Sequence, residues 1–288
     1  VMYALNMSTE PMLTMIAMNY INEGTYVNFG LARGIGSASW ATSALIFGQV
    51  VSFLGANVLS IAYCIFALVT LFILYHLPES KITETKTEEV QEEGSVITVI
   101  RKYKIFFFLL LGFCFMFSGA TAIGTYLINI VKSLGGNTSL YGVAMFAMAF
   151  SELPVMMTVP KLMKKFNSVT LILVASIFYI CRNYTIGLAQ NLVVLIIGMM
   201  FQGLSYGLFT GVITYYVTYN LDTQDQMSGQ TMIGIMTSGI GSTLGNVLGG
   251  VLQDTIGLNA LFTFVYLMTA LGAAIIFICK FVSVKVKK

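Results

Sequence analysis

The sequence predicts an all-α polytopic membrane protein, on three observations. Hydrophobic residues make up 57% of the 288-residue chain and charged residues only 9%, a balance foreign to water-soluble domains. The apolar runs are long enough to cross about 30 Å of hydrocarbon as helices. The basic residues cluster on one side of those runs, as the positive-inside rule demands. A net charge of +3 is too small to suggest nucleic acid, so the lipid bilayer is the expected surrounding.

Nine spans are predicted, at 1–21, 32–54, 57–77, 105–132, 139–163, 168–188, 191–219, 227–253 and 257–281. With the basic tail Lys280, Lys285, Lys287 and Lys288 in the cytoplasm, alternation places Lys81, Lys86, Arg101, Lys102, Lys104, Lys161, Lys164 and Lys165 inside as well. Lys132 alone falls in an outer loop. The expected location is the cell (inner, cytoplasmic) membrane, with multiple passes and a cytoplasmic C-terminus. The first span is already under way at Val1, which is not an initiator methionine, and this suggests an N-terminally truncated chain.

An internal repeat estimates the extent of that truncation. Gly48–Leu59 reads GQVVSFLGANVL and Gly250–Leu261 reads GVLQDTIGLNAL, both Gly-x6-Gly-x-Asn-x-Leu, each bridging the end of one span and the start of the next. Two parallel six-helix halves joined by a polar linker form the layout of a large transporter class. The chain then divides into the end of a first bundle (1–78, helices 4–6), an acidic linker with an interfacial segment (79–104) and a second bundle (105–288, helices 7–12). About nine of twelve helices are present on this reading. Pro78 ends the first bundle, and ESKITETKTEEVQEEG sets six glutamates against two lysines, the composition of a solvated connection. In SVITVIRKYK, Val96, Val99 and Ile100 recur at helical spacing before Arg101, Lys102 and Lys104, which predicts a short interfacial helix.

Chemistry-bearing residues are few. Cys64, Cys114, Cys181 and Cys279 lie in apolar runs at unrelated spacings, which points to packing and to neither a disulfide framework nor a metal site. No HExxH, no paired intramembrane aspartates and no serine with a nearby histidine suggest an enzyme. An ionisable side chain within a span costs about 2.5–3.5 kcal/mol on insertion scales, so it persists where it faces a cavity or a partner. Glu10 in MSTEPM, Arg33, Glu152 in FSELPVMM and Arg182 in FYICRNYTIG are the candidates. Glu152 lies about 20 Å along its helix, near the membrane midplane. Arg182 falls in the outer half of the next span and reaches Glu152 only through side-chain length and tilt. Glu10 is alternatively a hydrated interfacial residue, Arg33 a juxtamembrane cation, and Glu152 one half of a structural ion pair.

Arg33 and Trp40, the only tryptophan, are seven residues apart, within about 20° around a helix axis and about 10.5 Å along it. Glycine, serine and alanine surround them and suit close helix packing. A guanidinium and an indole on one face add a fork of donors and a stacking platform. The second copy of the repeat, MIGIMTSGIGSTLGNVLGG over 232–250, carries the glycines with neither arginine nor tryptophan.

These motifs resemble the oligosaccharide/proton symporters of the major facilitator superfamily, the lactose permease family, and the related phenylpropionate and nucleoside proton symporters. NFGLARGIGSASWATSALIFG is similar to the fifth helix, FSELP to the eighth and YICRN to the ninth. The resemblance implies a substrate-binding role for Arg33, Trp40, Glu152, Arg182 and Gln202, with Trp40 stacking on a sugar ring. It implies proton coupling through Glu152 or Glu10, with the proton gradient as energy source, no cofactor, no metal and a monomeric protein. FQGLSYG offers Gln202 and Ser205 where that family carries a histidine and a glutamate on the tenth helix, and GATAIGTYLIN carries no acid on the seventh. The lone His76 lies at the inner end of another helix, where it meets water. The expected activity is import of a small polar organic solute by proton symport with alternating access, a sugar or oligosaccharide first among candidates. Nucleoside or aromatic-acid transport, uniport, drug/proton antiport, a non-transporting sensor and a polytopic membrane enzyme stand as alternatives. The antiporter reading is weakened because the fifth helix lacks proline.

Overall fold

The computed structural model describes residues 29–77 and 96–286. The expected span 1–21, with Glu10, and the acidic part of the linker lie outside the described residues. The helices are α1 (Phe29–Leu54), α2 (Asn57–Tyr75), α3 (Val96–Lys102), α4 (Lys104–Ser133), α5 (Thr138–Lys165), α6 (Ser168–Gly187), α7 (Leu192–Asn220), α8 (Gln224–Thr255) and α9 (Leu258–Val286). Seven of these are long and apolar enough to cross a membrane, and in α1 the described apolar stretch is Ala38–Leu54. Among the described residues there is no strand.

The predicted boundaries hold to within a few residues because the sequence caps its helices. Asn137, Asn167 and Asn191 each accept a hydrogen bond from the first turn of the helix that follows, at Leu140, Val169 and Val194. The repeated motif has a structural cause. Gly55 and Gly257 both adopt left-handed φ, +83° and +105°, at the turns that join α1 to α2 and α8 to α9. A Cβ is strained there, so glycine is the default residue in both copies.

Long-range contacts fix the alternation of α4–α9. Lys102 reaches Asp222 and Asp225 at the α7–α8 turn, and Lys280 near the end of α9 donates to Thr170 at the start of α6. These ends share the side of the linker, and the α5, α7 and α9 N-termini share the other. The basic residues Arg101, Lys102, Lys104, Lys161, Lys164, Lys165 and Lys280 therefore group on the linker side, with Lys132 opposite.

Small residues set the close crossings. Gly241, Gly245 and Gly249 of α8 meet Cys114, Ser118 and Ala122 of α4, so a glycine stripe with neither arginine nor tryptophan packs a helix. Gly112 of α4 faces Gly272 of α9. An aromatic core fills between α4, α6 and α7, with Phe113 stacked on Phe209 and edge-on to Tyr179. In a bilayer these contacts stabilise by van der Waals packing, since lipid removes most of the hydrophobic drive between helices. The packing role assigned to the cysteines holds for buried Cys114 and Cys279 and fails for Cys64 and Cys181, which stand exposed on α2 and α6. All four are free thiols.

Candidate functional site

Glu152 sits halfway along the 28-residue α5. Gly142 and Ala149 turn one flank of α5 toward α1, while Ser151 and Val159 turn another toward α7. At about 100° per residue Glu152 falls between these flanks. Across from it α7 departs from α-helical geometry. A π-helical stretch, Gly203–Gly207, occupies the level of Glu152, and such bulges occur often at functional sites. The Gly203 N–H donates to Ser151 Oγ at 3.0 Å. A Cβ at Gly203 would strike the Ser151 carbonyl, and one at Gly207 would touch Glu152 at 3.6 Å. Small residues thus let the α7 backbone come directly against the acid.

Arg182 is the largest fully buried side chain among the described residues, at 1% exposure. Its guanidinium donates from Nη1 to Asn183 Oδ1 at 3.0 Å. Asn183 Nδ2 donates to Thr269 Oγ1 of α9 at 2.6 Å, and that hydroxyl donates to the Val265 carbonyl at 2.7 Å. Arg182 and Tyr179, one turn apart on α6, both lie within electrostatic range of Glu152. Tyr206, inside the π-helical stretch, stacks on Phe117 at 5.6 Å and on Phe113 at 6.4 Å, the ring that Tyr179 meets edge-on. Arg182 therefore anchors a buried polar cluster between α6 and α9, with Tyr179 one turn away and Glu152 within its electrostatic range.

Three polar atoms in this region have no hydrogen-bond partner among the described residues: Tyr179 Oη, Arg182 Nε and Gln202 Oε1. Gln202 immediately precedes the π-helical stretch and is buried. Leaving a buried polar atom unpaired costs about 1–3 kcal/mol, so native proteins keep such atoms where a ligand or water completes them. They offer a hydroxyl, a cationic donor and an amide acceptor.

Arg33 and Trp40 are both on α1, as expected, although nothing is described of the Arg33 side chain. Trp40 is 48% exposed. The α5-facing side of α1 carries Ala41, Ala44 and Gly48, and Trp40 stands about 100° around the helix from Ala41. An open groove of about 380 Å³ runs along Ile35, Ala38, Ser39, Thr42 and Ser43. Trp40 lies about 130° from its centre. The antiparallel pairing of Gly48 with Gly142 sets Trp40 level with Phe150, within a turn of the depth of Glu152. No hydrogen bond or ring contact joins Trp40 to Glu152, Arg182 or Gln202 among the described residues.

The sequence model of the family described as MFS_1 like matches residues 1–264. The chain belongs to the MFS_1 like family. A search of curated proteins found none that matches. Membership places this MFS_1 like protein among the multi-pass transporters of the major facilitator superfamily, and it points to transport and away from enzymatic turnover. Among the described residues no group of histidine, cysteine, aspartate and glutamate side chains is arranged to hold a metal ion. Tyr179, Asn183, Tyr206 and Thr269 belong to the cluster, yet sequence reading missed them. Tyrosine, asparagine and threonine within apolar runs look like ordinary helix residues, and only the neighbouring Arg182 marked the region.

Proposed function

We propose that this protein is a secondary active transporter that imports a small polar organic solute, a sugar or oligosaccharide, together with a proton. The observation that supports this most directly is a fully buried Arg182 inside a membrane-spanning helix, its Nε unpaired among the described residues like Tyr179 Oη and Gln202 Oε1, with an acid, Glu152, within its electrostatic range. Sugar hydroxyls both donate and accept, which suits a cationic donor, an amide acceptor and a phenol. In this reading Arg33 and Trp40 come from one bundle, 1–78, and Glu152, Arg182 and Gln202 from the other, 105–288. The two bundles rock about a site near the midplane. Glu152 takes up the proton, Glu10 being the second candidate, and the proton gradient supplies the energy without a cofactor. The protein works as a monomer in the cell membrane with its C-terminus in the cytoplasm.

The test is uptake by the purified protein in proteoliposomes, against a panel of radiolabelled sugars, nucleosides and aromatic acids. Saturable sugar uptake with alkalinisation of the outer medium supports the proposal. Sugar uptake without alkalinisation replaces symport by uniport. Uptake confined to nucleosides or aromatic acids overturns the sugar assignment, and no flux of any solute overturns transport.

A further inference from the structure

A buried arginine must stay solvated by the protein in every state of its surroundings. If its sole counterpart were Glu152, protonation of that acid would strip the guanidinium of its partner. The structure supplies another. Arg182 Nη1 is tied to Asn183 Oδ1, Asn183 Nδ2 to Thr269 Oγ1, and Thr269 Oγ1 to the Val265 carbonyl. Each group has one assignment in this relay: the asparagine accepts from a cation and donates to a hydroxyl, which donates to a backbone carbonyl in turn. Asn183 and Thr269 are both fully buried, so water does not substitute for any link.

The relay also chooses an edge of the guanidinium. Nη1 lies on the Cδ side, whereas Nε and Nη2 form the opposite edge, which binds carboxylates and vicinal hydroxyls in bidentate fashion. Nε is the atom without a partner among the described residues. We infer that Asn183 and Thr269 are positioning residues that lock Arg182 to α9 through Nη1 and hold its Nε edge ready for solute, independently of the charge on Glu152. The inference rests on the reading of Arg182 as a solute-binding residue, while the lock itself concerns this side chain alone.

Phenylglyoxal, which condenses with guanidino groups that it can reach, reads release of the buried side chain without any solute. The full chain in proteoliposomes is treated with it, and modification of Arg182 is followed by peptide mass spectrometry, with exposed Arg101 as internal reference. Breaking one net hydrogen bond raises the population of released guanidinium about three- to tenfold. Thr269→Val and Asn183→Ala are expected to speed Arg182 modification by at least about threefold with Arg101 unchanged, and Thr269→Ser, which keeps the hydroxyl, is expected to match the unmodified chain. Equal Arg182 rates in all variants overturn the inference. So does a Thr269→Ser rate as fast as Thr269→Val, or a parallel rise at Arg101, which marks general loosening. For a sugar that the uptake panel shows to be carried, Thr269→Val is expected to raise KM about three- to tenfold with kcat held within about twofold. A panel without flux sinks the transport reading, and the Arg182 rates still decide the lock.

Discussion

Gly48 of α1 and Gly142 of α5 meet backbone to backbone: a Cβ on Gly48 would stand 2.8 Å from the Cα of Gly142, and one on Gly142 would stand 2.7 Å from the Ala44 carbonyl. The contact lies at the end of the spans opposite the linker and joins the two segments that the domain proposal assigns to different bundles. Gly142→Val is therefore expected to pry α1 from α5 at this end, with an overpacking cost of about 1–3 kcal/mol if the helices stay together. Ala41, 1% exposed on the same contact face, is the reporter. A cysteine placed by Ala41→Cys should react with maleimide faster in the Gly142→Val background. Unchanged reactivity would show that the helices do not part.

Glu152→Gln keeps the shape and removes the titrating group. Solute-driven alkalinisation is expected to vanish, while solute exchange at equilibrium, which needs no net proton movement, should persist. Wild-type alkalinisation in the variant would remove Glu152 as proton carrier and leave Glu10 as the next acid to substitute.

Trp40 is the only tryptophan of the chain, so its fluorescence reports one site without labelling. If it stacks on solute, addition of a transported sugar should shift or quench that emission saturably. Trp40→Ala should weaken apparent affinity about three- to tenfold, the range expected from about 0.5–1.5 kcal/mol of aromatic contact. Emission that ignores every transported solute, with unchanged affinity in the variant, would assign Trp40 to the lipid or packing side of α1.

The helices were legible because hydropathy, asparagine caps and charge asymmetry are all local signals. The turn motif around Gly55 and Gly257 was legible for a similar reason: left-handed φ demands glycine wherever the turn recurs. Glu152 and Arg182 stood out because charge inside a span is costly, and the Asn183–Thr269 relay beside Arg182 is what the fold adds. The π-helical stretches at Gly203–Gly207 and Ile235–Gly241 were not legible. They need no special composition beyond small residues, and they arise where a neighbouring backbone presses close. Asn183 and Thr269 escaped notice because a partner 86 positions away along the chain gives one residue no local mark.

The short helix α3 is held by a clasp that the sequence reading did not contain. Lys102 Nζ lies 2.6 Å from Asp222 Oδ2 and 2.7 Å from Asp225 Oδ2, while Tyr103 Oη donates to Asp225 Oδ2 and accepts from the Asp222 N–H. The hydrogen bond from Lys102 holds the Asp222 carboxyl below its usual range, and the bonds to Asp222 and then Asp225 hold the Lys102 ammonium above its own. The signs follow. The Asp222 contribution is present above the unfolded carboxylate value of about 3.9 and is lost as pH falls through the lower folded value. The Lys102 contribution is present below about 10.4 and is lost as pH rises through the higher folded value. From about pH 5 to 9 neither group changes charge, so hydrogen-exchange protection of residues 96–103, corrected for intrinsic rate, should stay flat. Lys102→Ala should lower that protection at every pH in the window because Asp225, 2% exposed at its side chain, loses its cation. The same variant should leave the pH profile of uptake where it was. A step in protection between about pH 5 and 9 would show that a different titrating group holds the helix.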